Sequence, residues 1–198
     1  MLEPGATVAV PRRSAAEAAQ RIADHLESSD LPYAIGGALA LGVAGVPRGT
    51  LDVDVNVFVE DERIPIVVAA LAGLGIELDA VAAVARARSD GMFVGRWDGM
   101  RIDVFVPSIP FSDEAGRTRI RITSDDGWSG WFLAPEAIVI FKLLFFRGKD
   151  VVDLERLVAV RGPTLDHGYV RRWLVDMMGA DDERVLRWDD IVRRFAGP

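Results

Sequence analysis

The clearest pattern in the chain is a strict alternation of polar and apolar residues between positions 52 and 60. Successive side chains of a β-strand point to opposite faces, so the alternation predicts a strand with one buried and one polar face. The apolar face carries Val53, Val55, Val57 and Val59. The polar face carries Asp52, Asp54, Asn56, Phe58 and Glu60. The first two carboxylates would then lie about 7 Å apart on one side of the strand.

A second alternating stretch follows an Asp-Gly turn signal at positions 98 and 99, which predicts a hairpin with a strand over 92–97. Its apolar face carries Met100, Ile102, Val104 and Val106. Its other face carries Arg101, Asp103 and Phe105. If this strand pairs beside the first, Asp103 points into the same cleft as Asp52 and Asp54. If it does not, Asp103 is an ordinary exposed strand residue.

Helical periodicity accounts for much of the remainder. Ser14 and Glu17 form a capping-box pattern that begins a helix reaching about Ser28. Residues 61–74 predict another helix, with Pro65 near its first turn. The segment after Ala134 looks entirely helical, so we place a soft boundary there. We predict a domain of strands and helices over 1–133 and a helical C-terminal region over 134–198 packed on it.

Several shorter segments have weaker patterns. A short strand over 33–35 leads into two glycines and a helical segment reaching about position 46. Residues 76–79 suggest a short strand, whereas 82–90 fit no single pattern. Residues 117–123 alternate between arginine and apolar positions, which predicts a strand that either meets phosphates or protects a sheet edge. Residues before position 13 have the character of an irregular lead-in.

The paired carboxylates at Asp52 and Asp54 have no basic neighbour within their strand, and a hard divalent cation such as Mg²⁺ would relieve their repulsion. A solvated polar face is the simpler alternative. Gly36 and Gly37 favour the metal, because glycines before a helix allow phosphate oxygens to approach the backbone closely. A calcium-binding EF-hand loop is excluded, because its sixth position would be Val57 instead of glycine and its twelfth position would be an arginine.

Lys142 lies in an otherwise apolar helical segment, residues 136–146. A buried lysine is costly unless an anion meets it, so a carboxylate or a nucleotide phosphate is a candidate partner. The alternative is that its long stem carries the charge to solvent. Asp150 and Asp153 follow on neighbouring turns of the next helix. They either complement the helix dipole or form a salt-bridged support for a site around Lys142.

Composition narrows the class of protein. The 198 residues carry a formal net charge of −7, which argues against an indiscriminate nucleic-acid binder but leaves a locally basic RNA site open. The absence of cysteine excludes disulfides, a thiol nucleophile and cysteine-ligated zinc. The first residues do not resemble a signal peptide, and no apolar run reaches the roughly 20 residues needed to cross a bilayer. We therefore expect a soluble, cytoplasmic protein without a membrane partner.

These motifs together resemble a known family. They are Gly-Gly at 36–37, the R-x-T-x-D-x-D pattern of Arg48, Thr50, Asp52 and Asp54, the later strand residue Asp103, and a helical pattern of Lys142, Lys149, Asp150 and Asp153. The chain resembles a minimal nucleotidyltransferase of the DNA polymerase β superfamily. The likeness is to the AbiEii type, known chiefly as toxins of toxin-antitoxin pairs, and it covers about residues 33–158.

The resemblance implies an α+β (α/β) fold with a nucleotidyltransferase-like mixed β-sheet flanked by helices and followed by a helical C-terminal part. It implies transfer of a nucleoside monophosphate from an NTP, with Asp52 and Asp54 binding two Mg²⁺ ions. Asp103 would serve as a metal ligand or as the base for the acceptor hydroxyl. Nucleotide contacts are implied for two groups of residues, the first around the phosphate loop and the second in the helices: Gly36, Gly37, Arg48 and Thr50; Lys142, Asp150 and Asp153.

The resemblance also implies an RNA acceptor, the tRNA 3′ end in particular, and an antitoxin protein as partner. Transfer to a small molecule or a protein side chain, or a non-catalytic nucleotide-binding or partner-binding module, are the alternatives. A local RNA track could come from Arg86, Arg88, Arg96, Arg101 and the arginine strand, and their convergence would separate these cases. One departure concerns the donor, because the family's usual Gly-Ser is replaced by Gly37-Ala38 and the loop lacks that hydroxyl.

Overall fold

The computed structural model describes residues 13–196 and contains one six-stranded mixed β-sheet. Its strands are β1 (Tyr33–Ile35), β2 (Asp52–Val57), β3 (Met92–Trp97), β4 (Met100–Phe105), β5 (Ile120–Thr123) and β6 (Ser129–Phe132). They lie in the order β3-β4-β2-β1-β6-β5. The sheet is mixed because β2 runs parallel to β4 and antiparallel to β1, while β1 runs parallel to β6.

Helices surround the sheet. They are α1 (Ala15–Ser28), α2 (Gly37–Val43), α3 (Ile64–Gly73), α4 (Ala80–Asp90), α5 (Ser112–Arg117), α6 (Pro135–Phe145), α7 (Gly148–Arg161), α8 (His167–Met178) and α9 (Glu183–Phe195). After β6 the described chain is helical to its end. None of the described helices combines the length and the apolar character that crossing a membrane requires. The predicted fold class, a mixed sheet flanked by helices and followed by a helical C-terminal part, is confirmed.

The alternating pattern of β2 determines how the sheet packs. Val53, Val55 and Val57 are fully buried, and α1 packs against β1 and β2. The predicted capping box of α1 is present, with the Glu17 amide donating to the Ser14 hydroxyl and the Glu17 carboxylate accepting from the Ser14 amide. The polar residues of β2 are thereby turned to the opposite face of the sheet.

A single buried apolar cluster includes side chains from both sides of residue 134, such as Val55 in the sheet and Leu157 in α7. The division into an α/β domain over 1–133 and a helical region over 134–198 stays a prediction. It coincides in the structure with the change from strands to helices.

Four local predictions differ from the structure. Strand β2 ends at Val57, so the pattern continues past the hydrogen-bonded ladder. The undecided segment 82–90 belongs to α4, which the Asp79 carboxylate caps. The expected strand over 76–79 is reduced to one bridge, between Glu77 and Arg96. The strand expected over 117–123 was wrong at its start, because α5 ends at Arg117 and β5 begins three residues later. The predicted irregular lead-in lies outside the described residues.

Candidate active site

The polar face of the sheet opens into a cavity of about 360 Å³. Its walls come from β2, β4, the segment after β4, α6 and the first turn of α7. A cavity of this size is in the range that holds small-molecule ligands. Most of the residues singled out in the sequence line it: Gly37, Arg48, Asp52, Asp54, Asp103, Lys142 and Asp150. Gly36, Thr50 and Asp153 lie just behind these lining residues, each in contact with one of them.

The three strand carboxylates share one end of the cavity because of the sheet register. In the parallel pair of β2 and β4, Asp54 lies directly opposite Asp103 and Asp52 lies opposite Arg101. Neighbouring strands are about 4.8 Å apart, and Asp52 and Asp54 are two residues apart on the same face. The condition set by the sequence, that β4 pair beside β2, therefore holds, and Asp52, Asp54 and Asp103 all line the same cavity.

The pKa of Asp54 is strongly raised. Burial, followed by the charges of Asp52 and Asp103, raises it from 3.8 to about 6, and the charges of Lys142 and Lys149 offset only part of the rise. The acid cluster, which we define as Asp52, Asp54 and Asp103, therefore contains a carboxyl whose negative charge is disfavoured by its surroundings. A cation placed among these oxygens would lower the pKa of Asp54 again.

The other two carboxylates are held by neighbouring side chains. The Thr50 hydroxyl donates to Oδ1 of Asp52. Arg101 Nε lies 2.8 Å from Oδ1 and 3.0 Å from Oδ2 of Asp103. The sequence placed Arg101 and Asp103 on one strand face, but assigned Arg101 only to a general RNA track. Their separation of two residues was the available signal for a direct contact.

The acid cluster has the oxygen donors that Mg²⁺ prefers. Within residues 13–196, however, no three acidic, histidine or cysteine side chains converge closely enough to hold a metal ion. The contacts of Asp52 with Thr50 and of Asp103 with Arg101 engage oxygens that a metal would need. The donor chemistry and the disfavoured charge of Asp54 fit the ion, and the Asp103 carboxylate would have to leave Arg101 to join it.

Gly36 and Gly37, at the start of α2, pack directly against Asp54. Gly37 has φ +54°, in the left-handed region, and a Cβ there would lie 1.7 Å from Oδ2 of Asp54. Gly36 donates its amide to the Asp54 main-chain carbonyl, and a Cβ on it would lie 2.8 Å from the Asn56 side-chain nitrogen. The side-chain space at Gly37 is thus taken by the Asp54 carboxylate, and the phosphate contact of the two glycines stays a prediction.

Lys142 is buried, and its partners are carboxylates, which were one of the two kinds of anion predicted for it. Its Nζ lies 2.7 Å from Asp153 and 3.1 Å from Asp150. Arg147 also donates to Asp150, through Nε at 2.6 Å, and Arg48 Nε approaches Asp153 at 3.5 Å. Although burial opposes it, hydrogen bonds and charge from Arg147 and Lys142 hold the pKa of Asp150 below its usual value. This group of five side chains is therefore largely neutralised internally.

Part of the cavity lining is apolar. Phe105, two residues beyond Asp103 on the same strand face, packs edge to face on Phe145 with ring centroids 5.8 Å apart. Met92, Ile109 and Phe141 also line the cavity. The sequence placed Phe105 on the polar face but gave no sign of the aromatic partner, which comes from α6.

The predicted RNA track does not form as one surface. Arg88 pairs with Asp61, and Arg121 pairs with Glu27 at the opposite edge of the sheet from β4. Arg101 is the member of the proposed track that lines the cavity. The predicted track also includes Arg86 and Arg96, together with Arg117 and Arg119, which precede β5.

Comparisons with known proteins give only distant similarities. No protein-family model matches the chain, and no curated protein matches it significantly. Among solved structures, an antigenic nucleotidyltransferase-like protein from Paracoccidioides brasiliensis is 18% identical, with a TM-score of 0.48 over 90% of this chain and 94% of that chain. The antibiotic-resistance factor ANT(2'')-Ia in solution is 18% identical, with a TM-score of 0.47 over 93% and 95%. The crystal structure of ANT(2'')-Ia with adenylyl-2''-tobramycin is 17% identical, with a TM-score of 0.46 over 91% of this chain and 98% of that chain.

Proposed function

We propose that the chain is a Mg²⁺-dependent nucleotidyltransferase that moves a nucleoside monophosphate from an NTP to an acceptor hydroxyl. The observation that carries the proposal is the register of β2 against β4, which brings three carboxylates to one end of a ligand-sized cavity. In this proposal Asp52, Asp54 and Asp103 hold the metal. When bound, Mg²⁺ would supply positive charge that activates the attacking oxygen and stabilises the leaving phosphate.

The reaction forms one bond and breaks one. The acceptor oxygen bonds to the α-phosphorus while the bond from that phosphorus to the bridging oxygen of the β-phosphate breaks, so that pyrophosphate leaves with the electron pair. The acceptor proton passes to a carboxylate, for which Asp103 is the candidate because it lines the cavity as the neighbour of Asp54 in the sheet register. Asp54 with a pKa near 6 is better suited to metal binding once a cation has stabilised its charge.

The charges of the cavity support an NTP with two metal ions. Five acidic and five basic side chains line the cavity, so their formal charges cancel. A triphosphate carries about four negative charges, and two Mg²⁺ ions carry four positive charges, so the loaded cavity would stay close to neutral. An NTP without metal, or metal without an NTP, would leave a large uncompensated charge. The balance favours the two ligands together.

The likeness implied a phosphate contact for Lys142, and the structure supports a different assignment. Because Asp150 and Asp153 already neutralise Lys142, we propose that these three residues support the wall of the cavity. Lys149 lines the cavity and has an exposed side chain, so it is better placed to meet donor phosphates, whereas Arg147 is already bonded to Asp150. Arg48 is shared between the cavity and Asp153. We propose Thr50 as the residue that orients Asp52.

For the acceptor, we propose a small molecule with an apolar part in preference to RNA. The apolar part of the lining, which includes Phe105 two residues beyond Asp103, would accommodate such a group. An RNA acceptor would need cationic side chains converging around the cavity, whereas Arg88 and Arg121 are committed to carboxylates elsewhere. RNA, and with it a tRNA 3′ end, a toxin role and an antitoxin partner, stays a prediction from the resemblance.

The test incubates the protein with each α-³²P-labelled NTP and Mg²⁺, first with total RNA and then with a small-molecule extract. Asp52→Asn removes one metal ligand, and Asp125→Asn is the matched control because Asp125 is exposed and remote from the cavity. Transfer of label that requires Asp52 and survives in the control supports the proposal. The labelled product identifies the acceptor class. NTP binding without transfer to any acceptor would instead indicate a non-catalytic binding module.

A further inference from the structure

Arg101 occupies both carboxylate oxygens of Asp103. Its Nε lies 2.8 Å from Oδ1 and 3.0 Å from Oδ2. The Asp103 side chain is 13% exposed, while that of Arg101 is 49% exposed. The carboxylate is therefore fixed in the cavity wall, and the guanidinium reaches it from the solvent side. Of the two partners, Arg101 has the greater freedom to move.

Arg101 also interacts electrostatically with all three carboxylates of the acid cluster. It lies opposite Asp52 in the register of β2 and β4. The hydrogen bonds and charge of Asp103, followed by the charges of Asp52 and Asp54, raise the pKa of Arg101 above its usual value. Arg101 is the cation directly bonded to a carboxylate of the acid cluster among the described residues. Arg101 therefore supplies positive charge that a bound metal ion would otherwise supply.

A metal ion and this guanidinium compete for the same oxygens. A carboxylate whose two oxygens share one N–H of Arg101 has fewer lone pairs for Mg²⁺, and the two positive charges repel each other. The guanidinium is also shaped to bind a phosphate with two parallel hydrogen bonds. A donor phosphate entering the cavity would offer Arg101 an alternative partner and would free Asp103 for the metal.

We propose that Arg101 is a positioning residue that couples metal and nucleotide binding: it holds Asp103 in the empty site and passes to a donor phosphate when the site is loaded. This inference rests on the proposed function and adds a residue that the motifs of the sequence did not assign. Its physical consequence is that metal alone binds weakly, and that nucleotide removes the competitor for the metal ligand.

The test measures Mn²⁺ binding to the nucleotide-free protein by electron paramagnetic resonance, where Arg101→Gln should lower the Kd about fivefold, as expected for loss of an exposed competing ion pair. Arg96→Gln is the matched control. Arg96 lies opposite Arg101 on β3 and donates to a main-chain carbonyl, so it makes the same change of charge without touching the acid cluster. Its Kd should stay within error of the original protein.

A second arm measures NTP binding in EDTA by equilibrium dialysis, where Arg101→Gln should weaken binding severalfold while Arg96→Gln does not. Arg101→Lys, which keeps the charge but loses the paired geometry, should fall between the two in both arms. Circular dichroism confirms that each variant is folded. Equal Mn²⁺ affinity in Arg101→Gln and the original protein would overturn the role of Arg101, while leaving nucleotidyl transfer intact. Absence of Mn²⁺ binding to every variant even with an NTP present would overturn the proposed function as well.

Discussion

Replacing Asp54 by asparagine should stabilise the metal-free protein at alkaline pH. The residue is held in a charged state that its surroundings oppose, because burial and two like charges raise its pKa from 3.8 to about 6. At about 1.4 kcal/mol for each tenfold change in proton affinity, this rise corresponds to about 3 kcal/mol. Asparagine has nearly the same shape and no charge, so most of that free energy should be recovered.

The sign of the effect with pH follows from linkage. A carboxyl with a higher pKa in the folded state binds protons more readily there, so the original protein gains stability as the pH falls through 6 towards 3.8. Asp54→Asn should therefore raise the free energy of unfolding by about 2 to 3 kcal/mol at pH 8 and by only about 1 kcal/mol at pH 4.5. Urea unfolding in EDTA at the two pH values measures this difference.

Mg²⁺ should reverse the order. Saturating Mg²⁺ stabilises a protein that binds it only in the folded state, and Asp54→Asn removes one of the proposed ligands. Asp125→Asn, on an exposed turn, controls for the loss of one negative charge and should change the free energy of unfolding by less than about 0.5 kcal/mol. A destabilised Asp54→Asn protein at pH 8 in EDTA would refute the reasoning, because the buried charge would then contribute favourably.

Two further changes, each with a matched control, test the supporting structure by urea unfolding. Gly37→Ala should cost more than about 2 kcal/mol, because φ is +54° and the new Cβ would overlap the Asp54 carboxylate. Gly148→Ala, where a Cβ meets open space, should be neutral or slightly stabilising. Lys142→Met should cost about 3 to 5 kcal/mol, because it leaves two buried carboxylates without their lysine partner. Its control, Lys149→Met at an exposed side chain, should cost less than about 0.5 kcal/mol. Equal costs within either pair would contradict the corresponding contact.

The alternation in the sequence predicted the parts of the fold that burial decides. One-residue shifts would expose the valines of β2, so their spacing determines which residues face the core. The same spacing placed Asp54 and Asp103 on polar faces. Pairing of β2 with β4 was stated only as a condition, because sequence spacing within a strand does not determine which strand lies beside it.

The contacts within the site needed the structure. The Arg101 contact with Asp103 depends on rotamers, and the Thr50 contact with Asp52 depends on the path of the chain before β2. The segment 82–90 gave no clear pattern because α4 buries only Ala83 and Ala87, whose small side chains produce a weak periodic signal. The aromatic pair in the cavity lining likewise depends on the packing of α6, which carries Phe145, against Phe105.

The two groups of acids in the cavity differ in how their charge is balanced, and this difference decides where a cation can act. Asp150 is met by Lys142 and Arg147, and its pKa lies below the usual value although burial opposes this. At Asp54, burial and the charges of Asp52 and Asp103 outweigh the charges of Lys142 and Lys149, and the pKa is raised to about 6. A divalent ion would gain little beside Asp150, because it would displace cations already bound. Beside Asp54 it would remove an existing repulsion, so the acid cluster is the part of the cavity where metal binding is favoured.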